Sequence, residues 1–262
     1  MFINTLNPII FHSGFITIRW YGLLLTLGII LSILLYHKLF KKKNYSIDLV
    51  YDISIWLVIG GLIGARLGHI IFYNLDYFLR NPLEIIMINH GGLASHGMTV
   101  GIILTLLIYQ KIKKIDIRKY FDLLIIPIPL LAFFIRLGNF FNSEIVGKQT
   151  TVAWGMYFPK FDNGEMILRH PSQLYESLIA LTLFLIIYVV YKKYKNAPQY
   201  FITNLFLLLY FSSRFLVEFF KERHVLFDFP LSMGQLLSLP FVIWAVYWFL
   251  SSRNTRHVAR NK

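Results

Sequence analysis

The run Arg136-Leu-Gly-Asn139-Phe-Phe-Asn142-Ser-Glu144-Ile-Val-Gly147 puts a guanidinium, two carboxamides and a carboxylate directly behind the uncharged stretch 123–135. Ionisable groups at the end of so apolar a segment are costly and mark a functional site. In a helix, Arg136, Asn139 and Asn142 are three apart and share one face. Glu144 and Gly147 fall where that helix should break up. Arginine offers a planar fork of donors that fits a phosphate and cannot be deprotonated. A second arginine, Arg214, lies in another apolar stretch with Glu218 four residues on. Two such groups facing one cavity would hold a phosphate head group. A local alternative pairs Arg214 with Glu218 and Arg136 with Glu144. Both arrangements can coexist, because a carboxylate can orient the guanidinium that binds the ligand.

A proton acceptor is available in His90-Gly-Gly-Leu-Ala-Ser-His96-Gly97. A neutral imidazole at His96 could take a proton near pH 7. The competing role is a hydrogen-bonded structural histidine, and His90 reads as an interface residue. Two histidines six apart, without cysteine or an HExxH pattern, do not make a metal site, so no metal or cofactor is expected. His170-Pro-Ser-Gln173-Leu-Tyr175-Glu176 carries helix-start residues in Pro171 and Ser172. Gln173 and Glu176 exceed what capping needs. Tyr21, beside Arg19 and Trp20, is either a site residue or an interfacial aromatic. Arg66 sits among Gly60, Gly61, Gly64 and Gly68, the pattern of a close-packing helix.

The elements that must position these groups are membrane helices. Hydrophobic residues make up 56% of the 262, charged residues only 15%. Several apolar runs reach the roughly 20 residues that cross a bilayer. The expected architecture is an all-α, polytopic integral membrane protein forming a single domain, 1–262, with about seven transmembrane helices. The expected spans are 18–36, 49–72, 93–109, 121–141, 175–191, 200–219 and 233–250, with a polar loop at 142–174. Pro127 and Pro129 predict a kink or break in the fourth. Residues 1–17 read as a short segment at the membrane face.

The net charge of +13 would suit nucleic acid, but its placement does not. Sixteen of the basic residues follow the first, third, fifth and seventh spans, and seven lie on the opposite side. That bias puts the N-terminus outside and the C-terminus in the cytoplasm, and makes the charge a contact for anionic membrane lipid, not nucleic acid. The embedded polar residues then gather toward the outer face. With no cysteine in the chain, any thiol chemistry must use a thiol of the substrate. Absence of an internal repeat counts against an inverted-repeat transporter.

These motifs resemble those of the bacterial prolipoprotein diacylglyceryl transferases. The run 136–147 is similar to the family pattern Gly-Arg-x-Gly/Ala-Asn-Phe-x-Asn-x-Glu-x-x-Gly. Arg136, Gly138, Asn139, Phe140, Asn142, Glu144 and Gly147 all fit, and Ile135 stands where the family has glycine. Arg19-Trp-Tyr21-Gly22, His96-Gly97, the stretch 170–176 and Tyr210…Arg214…Glu218 have counterparts too, in order along nearly the whole chain.

The resemblance implies that a diacylglyceryl group moves from phosphatidylglycerol to the lipobox cysteine thiol of a prolipoprotein signal peptide. A thioether forms and glycerol phosphate leaves, at the outer face of the bacterial cytoplasmic (inner) membrane. It further implies catalytic roles for His96, Arg136, Arg214 and Tyr21. Arg136, Asn139, Asn142, Glu144, Gly147, Arg214 and Glu218 are expected to bind or shape the site for phosphatidylglycerol. The competing classes are a membrane transporter for an anionic solute and a non-enzymatic lipoprotein-binding chaperone. The first predicts solute flux without lipid consumption, the second binding without thioether formation.

Overall fold

The computed structural model describes residues 2–14, 16–88, 91–222 and 231–260, with the side chains of Ser95 and 253–260 outside the described set. His90, Arg223, His224 and Asp228 also lie outside it. The described helices are α1 (Trp20–Lys42), α2 (Ile47–Tyr73), α3 (Leu75–Arg80), α4 (Ser95–Lys113), α5 (Phe121–Ile125), α6 (Ile128–Asn142), α7 (Ser172–Lys193), α8 (Phe201–Val217) and α9 (Met233–Arg260).

Five of the helical segments are long and apolar enough to cross a membrane: Trp20–Lys42, Ile47–Tyr73, Ser172–Lys193, Phe201–Phe220 and Met233–Ser252. A sixth is reached if Ile117–Ile125 and Ile128–Asn142 are one broken span, bent by 49°. The break falls at the two prolines. Pro127 and Pro129 lack the donors a continuous helix needs there. The remaining expected span, the third at 93–109, corresponds to α4, which is not among these helices. Ser95, His96, Thr99, Thr105 and Gln110 dilute its apolar residues. Only 17–28% of the apolar window in the five spans is buried within the protein. Outward faces this apolar need lipid around them, so the chain is a multi-pass membrane protein.

The expectation of an all-helical chain misses two small sheets. Strands β2 (Ile9–Ser13) and β3 (Ile16–Arg19) form an antiparallel hairpin. Its turn holds Gly14 at φ +56°, a left-handed conformation that glycine adopts freely. Strands β1 (Phe2–Ile3), β4 (Met156–Tyr157) and β5 (Leu168–Arg169) form the second sheet, in the order β1-β4-β5. The stretch 1–17 and the polar loop 142–174 thus carry short strands in place of unstructured chain.

The chain divides into two compact units, Met1–Leu35 with Phe121–Lys262, and Tyr36–Tyr120. In the first, α6 packs on α7, α7 on α8, and α8 on α9. Asp122 fixes the start of α8: its Oδ1 accepts from the Thr203 amide at 2.8 Å and the Thr203 hydroxyl at 2.7 Å. In the second, α2 and α4 approach backbone to backbone. A Cβ on Gly64 would come within 2.6 Å of the Gly101 Cα, and one on Gly68 within 2.6 Å of the Gly97 Cα. Glycines on both helices permit that approach. Asp52 of α2 pairs with Lys113 of α4 at 2.7 Å and accepts from the Tyr109 hydroxyl at 3.0 Å.

Candidate active site

Helix α6 delivers Arg136, Asn139 and Asn142 on one face and stops at Ser143, which takes the left-handed conformation at φ 54°. The chain turns back there, and the Glu144 amide donates to the Asn139 carbonyl. That return aims Glu144 at the helix it has just left. Its Oε1 accepts from Asn139 Nδ2 at 2.7 Å and Asn142 Nδ2 at 3.3 Å. Glu144 is therefore held by two carboxamides, and the local pairing of Arg136 with Glu144 does not form. Arg136 instead donates from Nη1 to Asn139 Oδ1 at 3.2 Å and pairs through Nε with Glu176 Oε2 at 3.1 Å.

Helix α7 secures the turn from the other side. Ser172 Oγ donates to the Ile145 carbonyl and Gln173 Nε2 to the Glu144 carbonyl, each at 2.8 Å. Gln173 is fully buried, so it acts as a brace and not as a ligand contact. Gly147 threads a tight gap: a Cβ there would lie 2.5 Å from the His170 carbonyl oxygen and 2.7 Å from that of Phe220. It bridges Lys221 in antiparallel fashion. Gly138 likewise admits Tyr21, whose ring carbon would lie 2.7 Å from a Cβ at that position. The Tyr21 phenol lies within electrostatic range of Glu144 and Arg136.

Helices α6, α7 and α8 line a small open cleft formed by Ala132, Arg136, Glu176, Ile179, Ala180, Tyr210, Ser213, Arg214 and Val217, in which apolar wall meets two guanidiniums, a carboxylate and two hydroxyls. Arg214 is half-buried, and its guanidinium makes no hydrogen bond or ion pair among the described residues. The local pairing of Arg214 with Glu218 therefore does not form either. Glu218 lies 3.6 Å from Lys221 Nζ, and Lys221 also reaches Glu176 Oε1 at 3.5 Å.

Outside the apolar helices, Arg169 is 5% exposed and joins three segments. It meets Asp162 at 2.7 Å and Glu222 at 2.8 Å. The hydrogen bonds that Arg169 donates to the Asp162 carboxylate hold the guanidinium charge firmly and raise its pKa. Burial pushes the neighbouring His170 imidazole below its ordinary pKa, and the Lys148 charge adds to that.

Two sequence candidates lie in the other compact unit. His96, the second residue of α4, is exposed and touches the rings of Phe72 and Tyr73. Arg66 is buried, and all five of its N–H groups point at backbone carbonyls, those of Glu84, Ile85, Met87, Gly91 and Gly92. Its donors are thus all used within the protein. Among the described residues, no three His, Cys, Asp or Glu side chains gather at metal-binding range.

Lys221 and the Arg169 cluster were not singled out from sequence. Lys221 carried one usable signal, its position three residues after Glu218. Arg169 carried none, because its partners are distant along the chain.

Membrane-length helices around a cleft with a guanidinium unpaired among the described residues define a multi-pass membrane protein with a polar site set among its helices. The family is fixed by sequence similarity. The model of the prolipoprotein diacylglyceryl transferase family matches residues 8–251. A phosphatidylglycerol–prolipoprotein diacylglyceryl transferase of Chloroherpeton thalassium is 39% identical over 251 residues, 94% of this chain and 92% of the relative. One from Bacteroides fragilis is 38% identical over 257 residues, 92% of each chain. One from Tolumonas auensis is 34% identical over 251 residues, 94% of this chain and 95% of the relative. The chain belongs to the prolipoprotein diacylglyceryl transferase family and is an enzyme of the transferase class.

Proposed function

We propose that this chain carries out the first step of lipoprotein maturation, using the cavity between α6, α7 and α8 as its phosphate site. The substrates are phosphatidylglycerol and a prolipoprotein whose signal peptide ends in a lipobox cysteine. The thiol loses its proton, and the sulfur attacks the diacylglyceryl carbon that bears the phosphate oxygen. A carbon–sulfur bond forms, the carbon–oxygen bond breaks, and its electron pair leaves with glycerol phosphate. Arg136 and Arg214 hold the phosphate and stabilise the charge that grows on it. The observation that carries this assignment is Arg214, a guanidinium on the cleft wall with no carboxylate partner among the described residues.

Asn139, Asn142 and Glu144 keep Arg136 in place, Gly147 lets the loop close, and Tyr21 and Glu218 border the site. His96 is the base for the incoming thiol. What supports it is an exposed imidazole with no hydrogen bond among the described residues. The topology is seven spans with the N-terminus outside, the C-terminus cytoplasmic, and the site at the outer face of the bacterial inner membrane. The distribution of basic residues supports it.

The test is purified protein with phosphatidylglycerol and a lipobox peptide, read by mass. A gain equal to one diacylglyceryl group on the cysteine, with glycerol phosphate released in equal amount, is expected. Peptide binding or anion flux without that gain would overturn the assignment.

A further inference from the structure

Arg214 and Glu218 are one helical turn apart, the spacing at which arginine and glutamate ordinarily pair. They do not pair, and the local structure says why. Helix α8 ends at Val217, and Glu218 opens the tighter 3-10 turn Glu218–Phe220. The Glu218 carboxyl is seated against Gly234, where a Cβ would lie only 2.6 Å from its Cδ. It faces Lys221 Nζ at 3.6 Å. The same ammonium lies 3.5 Å from Glu176 Oε1, and the Lys221 side chain is only 14% exposed.

The lysine is not free to wander. Its backbone bridges Gly147, and the adjoining Phe220 carbonyl accepts from the Lys148 amide at 3.0 Å. One fixed cation thus faces two carboxylates, Glu176 on the cavity wall and Glu218 one turn beyond Arg214.

We infer that Lys221 is a positioning residue for lipid binding: it holds Glu218 and Glu176 so that neither closes on Arg214, which stays open to a phosphodiester. The inference rests on the assignment of Arg136 and Arg214 as the phosphate site. Without Lys221, two carboxylates would face two guanidiniums. A singly charged phosphodiester would then have to displace an internal carboxylate before binding. With Lys221 present, Glu218 and Glu176 both face its ammonium, and Arg214, unpaired among the described residues, is left to the anion.

The full-length protein in detergent, assayed at saturating lipobox peptide, separates this from a structural role. Lys221→Met should raise the KM for phosphatidylglycerol about tenfold, the loss of one charge-assisted contact, with kcat little changed. Lys221→Arg should keep the native KM. Adding Glu218→Gln to Lys221→Met should bring KM back toward the native value, because the competing carboxylate is gone. A native KM in Lys221→Met, or a raised KM that Glu218→Gln leaves unrelieved, overturns the inference. Should Lys221→Met not fold by size exclusion, Lys221→Gln carries the same predictions. Arg214→Ala is run in parallel. If it binds lipid and turns over like the native chain, the phosphate site itself is wrong. If it is impaired while Lys221→Met is native, only the role of Lys221 fails.

Discussion

The Arg136 Nε lies 3.1 Å from Glu176 Oε2, joining the end of α6 to the start of α7, with both side chains largely buried. Since Asn139 takes Nη1 at the same time, the guanidinium is held at two of its three nitrogens, and Nη2 is left for a ligand. Glu176→Gln should weaken that grip without removing the arginine. A hydrogen bond to a charged group contributes about 1.5–3 kcal/mol, so kcat/KM should fall roughly ten- to a hundredfold. Steady-state transfer to a lipobox peptide measures it. An unchanged kcat/KM would mean that Arg136 is oriented by Asn139 alone.

Gly147 should not tolerate a methyl group. A Cβ would meet the His170 and Phe220 carbonyl oxygens at 2.5 and 2.7 Å, and both belong to backbone that other contacts fix. Overpacking of this kind costs about 1–3 kcal/mol. Gly147→Ala should lower the melting temperature in detergent and abolish most transfer, since the loop it displaces carries Glu144. A variant with native melting and native turnover would show that the loop yields.

Arg169 should be a larger stability determinant than any surface ion pair. Replacing it with methionine strands Asp162, whose side chain is only 4% exposed, as an unpaired buried carboxylate. Breaking a buried pair from one side costs about 3–5 kcal/mol. Thermal unfolding of Arg169→Met against Asp162→Asn/Arg169→Met tests this. The double variant should recover part of the loss, because no buried charge remains.

The membrane-length helices, the proline break and the close-packing face of α2 were legible in the sequence because each follows from local composition. Apolar length reveals a span, Pro127 and Pro129 reveal a break, and Gly60, Gly64 and Gly68 at helical spacing reveal a close face. The polar cluster on α6 was legible for the same reason. Its ion pairs were not. Glu144 and Glu218 are the carboxylates nearest in sequence to Arg136 and Arg214, but neither is a partner. Glu144 is turned toward the carboxamides by the left-handed residue Ser143, and Glu218 by a switch from α to 3-10 geometry. The partner of Arg136 arrives from α7, a packing relationship that helical spacing does not encode. Strands β1, β4 and β5 escaped because two-residue pairings carry no periodicity, and the β2–β3 hairpin because Ile9-Ile-Phe-His-Ser does not alternate cleanly between apolar and polar.

Low pH should loosen the loop around His170. Burial and the Lys148 charge depress its folded-state pKa below the ordinary value near 6.5. The imidazole is therefore neutral in the folded chain where the unfolded chain already binds a proton. Stability is full above about pH 6.5 and falls as the pH drops below it. The melting temperature in detergent should decline from about pH 6.5 downward, and His170→Gln should flatten that decline. An identical slope in both would assign it to other groups.

A base at His96 makes a kinetic prediction. With native enzyme, kcat/KM for the peptide should fall on the acid side, because a protonated base cannot accept the thiol proton. His96→Asn should lower the rate about a hundredfold or more and remove that limb, leaving the rise toward the thiol's own ionisation. An unchanged profile in the variant would take His96 out of the proton transfer.

The phosphate site at Arg136 and Arg214 is tested most directly by steady-state transfer from phosphatidylglycerol to a lipobox peptide with Arg214→Ala. Loss of a preorganised donor to a growing negative charge should lower turnover by about a hundredfold or more, with Arg214→Lys recovering only part of it. Turnover within a few-fold of the native rate in Arg214→Ala would contradict the assignment.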